Sequence, residues 1–267
     1  MKPSGVITIT TDFGHKGPFA AVMKGVILGR FHEARVVDLA HDIPAQWPPE
    51  AGFWVSRSYR WFPPGTVHVA IVDPGVGTER DILIVEHDGH VFMAPDNGLL
   101  AQLIDGADGA RVLRLDATKL EALDLPSPSA TFHGRDIFAP LAAELAAGRI
   151  SITDIGEPVN DWVPGWLDEP EILAGKVSGV IVTIDTFGNL ISNIDASLVE
   201  SFKEPVAEIA GHQIPMLPTY GRARPGDFLA LVNSFDVVEV ARAEGSAADG
   251  LGSERGAPLV ICDGYGT

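Results

Sequence analysis

Two hydrophobic periods alternate along residues 1–160. Residues 5–11 carry β-branched side chains in succession, which predicts a strand. Residues 18–31 place Ala20, Ala21, Met23, Val26, Ile27 and Leu28 at helical spacing behind Pro18, which predicts a helix. A short strand at 35–39 and a second helix at 49–62, closed by Pro63-Pro64-Gly65, follow. Residues 66–72 read as a strand covered on both faces. Segments 81–86 and 90–93 flank Asp88-Gly89, a hairpin signal. Residues 97–104 and 136–147 carry helical patterns. Strands alternating with helices predict a mostly parallel sheet between two helical layers, an α/β sandwich domain over residues 1–165.

The pattern then changes. Residues 161–170 are rich in Trp, Pro and Gly and predict a linker. Beyond it lie short strand patterns at 177–184, 190–194, 206–209, 212–215, 228–232, 237–241 and 258–262. Turn chemistry such as Ala210-Gly211 and Pro225-Gly226-Asp227 separates them. This spacing predicts a small β-barrel or sandwich over residues 174–267.

Charge narrows the partners. Asp and Glu number 36 against 19 Lys and Arg, a formal net charge of −17. Such a surface repels nucleic acid and anionic membranes and tolerates a small cation. The plainer role of the charge is solubility. Cys262 is the one cysteine, which excludes an intrachain disulfide and a Cys-rich metal site. Asp12 interrupts the apolar N-terminal stretch too early for a signal peptide, and no run nears the ~18 apolar residues of a membrane span. A cytoplasmic protein is expected.

Five polar segments carry candidate chemistry. Thr10-Thr11-Asp12-Phe13-Gly14 ends the first strand, where open α/β sheets bind ligands. Asp12 there either accepts hydrogen bonds from a ribose diol or caps the next helix. Val72-Asp73-Pro74-Gly75-Val76-Gly77-Thr78-Glu79-Arg80 again ends a strand on an acid. It either brings backbone and Arg80 to a ligand or closes a tight turn with a surface ion pair. It is neither a phosphate loop nor a dinucleotide fingerprint. In the third segment His133 and Gly134 precede a helix near Asp136, which Arg135 can pair. Asp185-Thr186-Phe187-Gly188-Asn189 offers an acid for an ammonium, a ring for a base and an amide for its edge, or is a polar turn. The fifth, Val232 to Ala241 followed by Gly245-Ser246-Ala247, reads as a strand with polar ends.

Taken in this order, the five segments resemble the S-adenosylmethionine hydroxide adenosyltransferases, relatives of the fluorinase and chlorinase. The resemblance spans Ile7 to about Gly252. It implies a larger N-terminal α/β domain, a smaller C-terminal β-barrel and a homotrimer. Substrate would lie between the N-terminal domain of one subunit and the C-terminal domain of its neighbour. The implied reaction is hydrolysis of S-adenosylmethionine to adenosine and methionine, with no cofactor and no metal. Carried onto this chain, Asp12 binds the ribose diol and Trp47 packs against the substrate. Asp185 holds the methionine amine, and Phe187 and Asn189 contact the adenosine. Ser234, Glu239 and Ala241 complete the pocket, Ala241 through its backbone. The Asp–Arg–His triad of the hydroxide-transferring members falls on Asp73, Arg80 and His133. His133-Gly134 stands where the fluorinase has a Tyr-Ser type of pair, so no halide pocket is expected.

The chemistry suits these residue types. A sulfonium leaves as a neutral thioether, so the demand falls on water attacking C5′ in line. Arg80 is always cationic and cannot be the base, yet it can orient water and stabilise hydroxide. Asp73 or His133 accepts the proton, with His133 expected to orient the water. Three other readings compete. One is a metal-dependent hydrolase built on Asp12, His15, Asp38, His41, Asp42 and Asp73. The others are a non-catalytic sensor of S-adenosylmethionine or adenosine and a halide-using transferase.

Overall fold

The computed structural model describes residues 2–120, 123, 125 and 127–264. The chain divides into two compact units, Met1–Trp166 and Leu167–Thr267.

The first unit is built on seven strands: β1 (Val6–Thr11), β2 (Arg35–Ala40), β3 (Val67–Ile71), β4 (Ile82–His87), β5 (His90–Pro95), β6 (Arg111–Leu115) and β7 (Gly156–Pro158). Their order is β2-β1-β3-β5-β4-β6-β7. The run from β2 to β5 is parallel, and the remaining pairings are antiparallel. β1 and β3 are buried at every position, because helices cover both faces. Alternate residues of β3 serve opposite layers. Val69 and Ile71 pack with Met23, Ile27 and Leu141 from helices Phe19–Arg30 and Ala139–Ala146. Ala70 and the following Val72 pack with Val55 and Leu103 from helices Pro48–Ser58 and Ala101–Asp105.

The Asp88-Gly89 hairpin forms as its residues require. Both have positive φ, 49° and 77°, the geometry of the tight turn that matches strand twist. Two helices depart from the sequence pattern. The one expected at 97–104 is confined to Ala101–Asp105. Gly98 holds φ 87°, and a Cβ there would meet the Pro164 carbonyl at 2.5 Å, so the chain ahead of it cannot be helical. The helix expected from Asp136 starts as a π-helical turn, Gly134–Phe138, before Ala139–Ala146. Pro140 lacks the N–H that an α-helical turn would use there.

The second unit holds β8 (Glu171–Leu173), β9 (Lys176–Ile184), β10 (Leu190–Asp195), β11 (Pro205–Ile209), β12 (His212–Pro215), β13 (Phe228–Val232), β14 (Val237–Arg242) and β15 (Pro258–Asp263). They form one sheet in the order β12-β11-β15-β9-β10-β14-β13, with β8 beside β9. Its two ends approach each other: Leu217 N–H donates to the Ala230 carbonyl (2.8 Å) just past β12. The sheet is therefore a nearly closed barrel rather than a sandwich, around Val177, Ile181, Leu190, Val240 and Leu259. Among the described residues no helix is long and apolar enough to cross a membrane.

Candidate active site

β1 and β3 are parallel neighbours, so their C-terminal ends deliver Asp12 and Asp73 to one edge of the sheet. Both line a cavity of about 190 Å³ with Ile71, Phe132 and His133. Asp12 does not cap the following helix, whose N-cap is Pro18. Its Oδ2 instead accepts the Gln46 N–H (3.0 Å).

Asp73, Arg80 and His133 meet. Arg80 Nε lies 3.1 and 3.0 Å from the two Asp73 oxygens. The side chains are 12% and 5% exposed, so this is not a surface ion pair. Arg80 Nη2 donates to His133 Nδ1 across 2.9 Å. A guanidinium only donates, so Nδ1 accepts and the neutral ring carries its proton on Nε2. Burial first, and then the Arg80 charge, push the His133 pKa down, against an upward pull from Asp73 and Asp136.

Local chemistry fixes both loops. Gly77 has φ 79°, and a Cβ there would lie 2.1 Å from the Ala130 carbonyl oxygen, so the Asp73 loop rests on the segment leading to His133. That segment is tied by Asp136. Its carboxylate accepts from Arg135 Nε (2.6 Å) and from Ser129 N–H and Oγ–H (2.9 and 2.7 Å). Arg135, with Ser129, holds the Asp136 carboxyl well below the usual range. Phe13, Phe19 and Phe132 form an aromatic wall with centroid distances of 5.5–6.0 Å. Sequence reasoning did not assign these rings, although Phe13 and Phe132 each adjoin a candidate residue.

Trp47 precedes helix Pro48–Ser58 and tilts against Trp166 at 6.3 Å. Its buried Nε1 has no hydrogen-bond partner among the described residues. The acids and histidines of the metal reading are engaged in pairs, and the His15 and His41 rings meet edge-on at 5.4 Å. His41 lies between Thr11 and Asp38, His15 faces Asp42 at 3.6 Å, and Asp73 is engaged by Arg80.

In the second unit, Asp185 organises a turn. Its Oδ1 accepts the N–H groups of Phe187 and Asn189 (2.9 Å each), and its Oδ2 accepts Asn189 Nδ2–H (3.0 Å). The segment is thus a polar turn, and it leaves Phe187 76% exposed. Glu239 is buried on β14. Tyr220 Oη donates to its Oε1 (2.6 Å) and Asn233 Nδ2 to its Oε2 (3.0 Å). Burial raises the Glu239 pKa against these two bonds, and the Asp185 charge adds to the rise. Ser234 is exposed in the β13–β14 connection, and Ala241 is buried opposite Leu229. Sequence reasoning missed Tyr220 and Asn233. Asn233 adjoins Ser234 in a segment already singled out, whereas nothing local marks Tyr220.

Residues 7–156 match the SAM hydroxide adenosyltransferase N-terminal domain, and residues 179–260 match its C-terminal domain. A protein of Thermus thermophilus named (R)-S-adenosyl-L-methionine hydrolase is 36% identical over 97% of this chain and 99% of its own length. One of the same name from Salinispora tropica is 34% identical over 99% and 100%. The crystal structure of an uncharacterized conserved protein from Thermotoga maritima superposes with a TM-score of 0.88 at 29% identity, covering 96% of this chain and 99% of that one.

Proposed function

The chain belongs to the SAM hydroxide adenosyltransferase family, and from that premise we propose how its residues act. It is an enzyme that hydrolyses S-adenosyl-L-methionine to adenosine and L-methionine. One observation carries the assignment of its machinery: Arg80 binds Asp73 and His133 together at a cavity that Asp12 also lines.

Asp12 accepts hydrogen bonds from the ribose diol. Water attacks C5′ opposite sulfur, the C5′–O bond forms, and the C5′–S electron pair leaves with methionine as a neutral thioether. No acid is needed for that departure. With Nδ1 taken by Arg80, His133 has only its Nε2–H to offer, so it orients the nucleophile instead of deprotonating it. The Arg80 charge stabilises developing hydroxide. Asp73 is the proton acceptor left in the trio. The faces of Phe13 and Phe132 suit a sulfonium cation.

Asp185 takes the methionine ammonium, the exposed Phe187 ring stacks on the adenine, and Asn189 contacts the adenosine. Trp47, Ser234, Glu239 and the Ala241 backbone line the rest of the pocket. A cavity of about 190 Å³ is smaller than the roughly 300 Å³ at which small-molecule sites begin. This supports a site that a neighbouring subunit completes, and the family resemblance makes that assembly a homotrimer. The scheme uses no cofactor, and a chain with a single cysteine fits the reducing cytoplasm.

The decisive experiment incubates the protein with S-adenosyl-L-methionine in oxygen-18 water and follows products by mass spectrometry. Adenosine labelled at its 5′ oxygen, released with methionine, is the expected result. Substrate recovered bound and unchanged would make the protein a sensor.

A further inference from the structure

Behind the Asp12 segment runs a second hydrogen-bonded chain that the reaction scheme does not use. Asp38 Oδ1 faces His41 Nε2 at 2.8 Å, and His41 Nδ1 faces Thr11 Oγ1 at 2.7 Å. The other Asp38 oxygen takes Lys24 Nζ from helix Phe19–Arg30. A carboxylate only accepts, so His41 donates to Asp38 from Nε2, and its Nδ1 shares a hydrogen bond with the Thr11 hydroxyl. Thr11 Oγ1 in turn accepts the Phe13 N–H (3.3 Å). Gly14 N–H donates to the His41 carbonyl (2.8 Å). His41 therefore holds the three residues 12–14 from both sides, with Asp12 between the anchors.

The backbone is shaped to allow this. Residues three apart on a regular strand point to opposite faces. The β1–β2 register jumps from Ile9↔Asp38 to Thr10↔Ala40. This bulge absorbs one residue and lets Asp38 and His41 meet. Thr11 and His41 are 0% and 2% exposed, so water does not compete for the bond between them, while the Asp38 end of the chain is 39% exposed.

We propose that Asp38, His41 and Thr11 form a positioning relay that aims Asp12 at the ribose diol. His41 then sets substrate affinity without touching substrate. The inference rests on Asp12 being the ribose anchor.

Thr11→Val keeps the side-chain shape and deletes the hydroxyl, whereas Thr11→Ser keeps the hydroxyl. Hydrolysis kinetics and calorimetric binding of adenosine to the full chain are measured for both, alone and with Asp12→Ala. Thr11→Val is expected to raise KM and the adenosine Kd about tenfold while kcat changes less than about threefold. Thr11→Ser restores both constants, and Thr11→Val adds nothing once Asp12 is alanine. A lowered Tm with KM and Kd unchanged would reduce the relay to a fold contact and overturn the proposal. So would full additivity with Asp12→Ala. If Asp12→Ala alone leaves KM and Kd in place, the ribose anchor itself is wrong, and the relay falls with it for that separate reason.

Discussion

Arg80 Nη2 donates to His133 Nδ1 across 2.9 Å, and this contact decides which ring nitrogen carries the proton. Glutamine can copy that arrangement, with its carbonyl accepting from Arg80 and its amide donating onward. His133→Gln is therefore expected to retain at least about tenfold more kcat than His133→Ala. Equal loss in the two variants, measured at saturating substrate, would mean that His133 acts as a base.

Asp73→Asn tests the ion pair as well as the chemistry. The substitution strands the Arg80 charge in a site where its side chain is only 12% exposed. Removing one partner of a buried pair costs about 3–5 kcal/mol. Urea denaturation is expected to show a loss of this size. Turnover by the remaining folded protein falls by about 10²–10⁴.

Gly77→Ala probes the contact between the two loops. The new Cβ would sit 2.1 Å from the Ala130 carbonyl oxygen, at φ 79°. Strain and overpacking together predict a loss of about 2–4 kcal/mol. Because the displaced loops carry Asp73, Arg80 and His133, kcat falls as well. Unchanged turnover in this variant would uncouple the loop contact from the triad.

His68 predicts how stability depends on pH. Its Nδ1 meets Thr8 Oγ1 at 2.8 Å, its Nε2 meets His90 Nδ1 at 3.1 Å, and its ring stacks on Phe92 at 4.8 Å. Burial, followed by the His90 charge, lowers its pKa to about 3. The unfolded chain binds the proton near pH 6.5, so it gains protons first as pH falls. The His68 contribution is thus complete above about pH 6.5 and declines from there towards pH 3, a loss of about 2 kcal/mol by pH 5. Urea unfolding at pH 7 and pH 5 measures it. His68→Asn should flatten this dependence even as it lowers stability at pH 7. Equal stability of the unsubstituted protein at both pH values would require a protonated His68 in the folded core.

Much of the fold is legible in the chain because the signals are local. The seven strand patterns anticipated in the second unit lie within one residue of β9–β15 at either end. Period-two alternation and turn glycines are written in neighbouring residues. β7 and β8, with three residues each, are too short to carry such a pattern. The π-helical turn at Gly134–Phe138 depends on how Pro140 meets the turn before it, which hydrophobic spacing does not express.

The sequence alone placed Asp12 and Asp73 at strand ends, marked Arg80 and His133 beside glycine-rich turns, and carried the family resemblance through motif order. Tertiary structure decided whether those residues meet. Arg80 and His133 are separated by 53 positions, Thr11 and His41 by 30, and Tyr220 and Glu239 by 19. Each pair depends on which strands become neighbours, where a bulge shifts the register and which loops come to rest together. A hydrogen bond requires its atoms within about 3 Å and aligned. No pattern along a chain encodes that distance until packing has fixed the backbone on both sides.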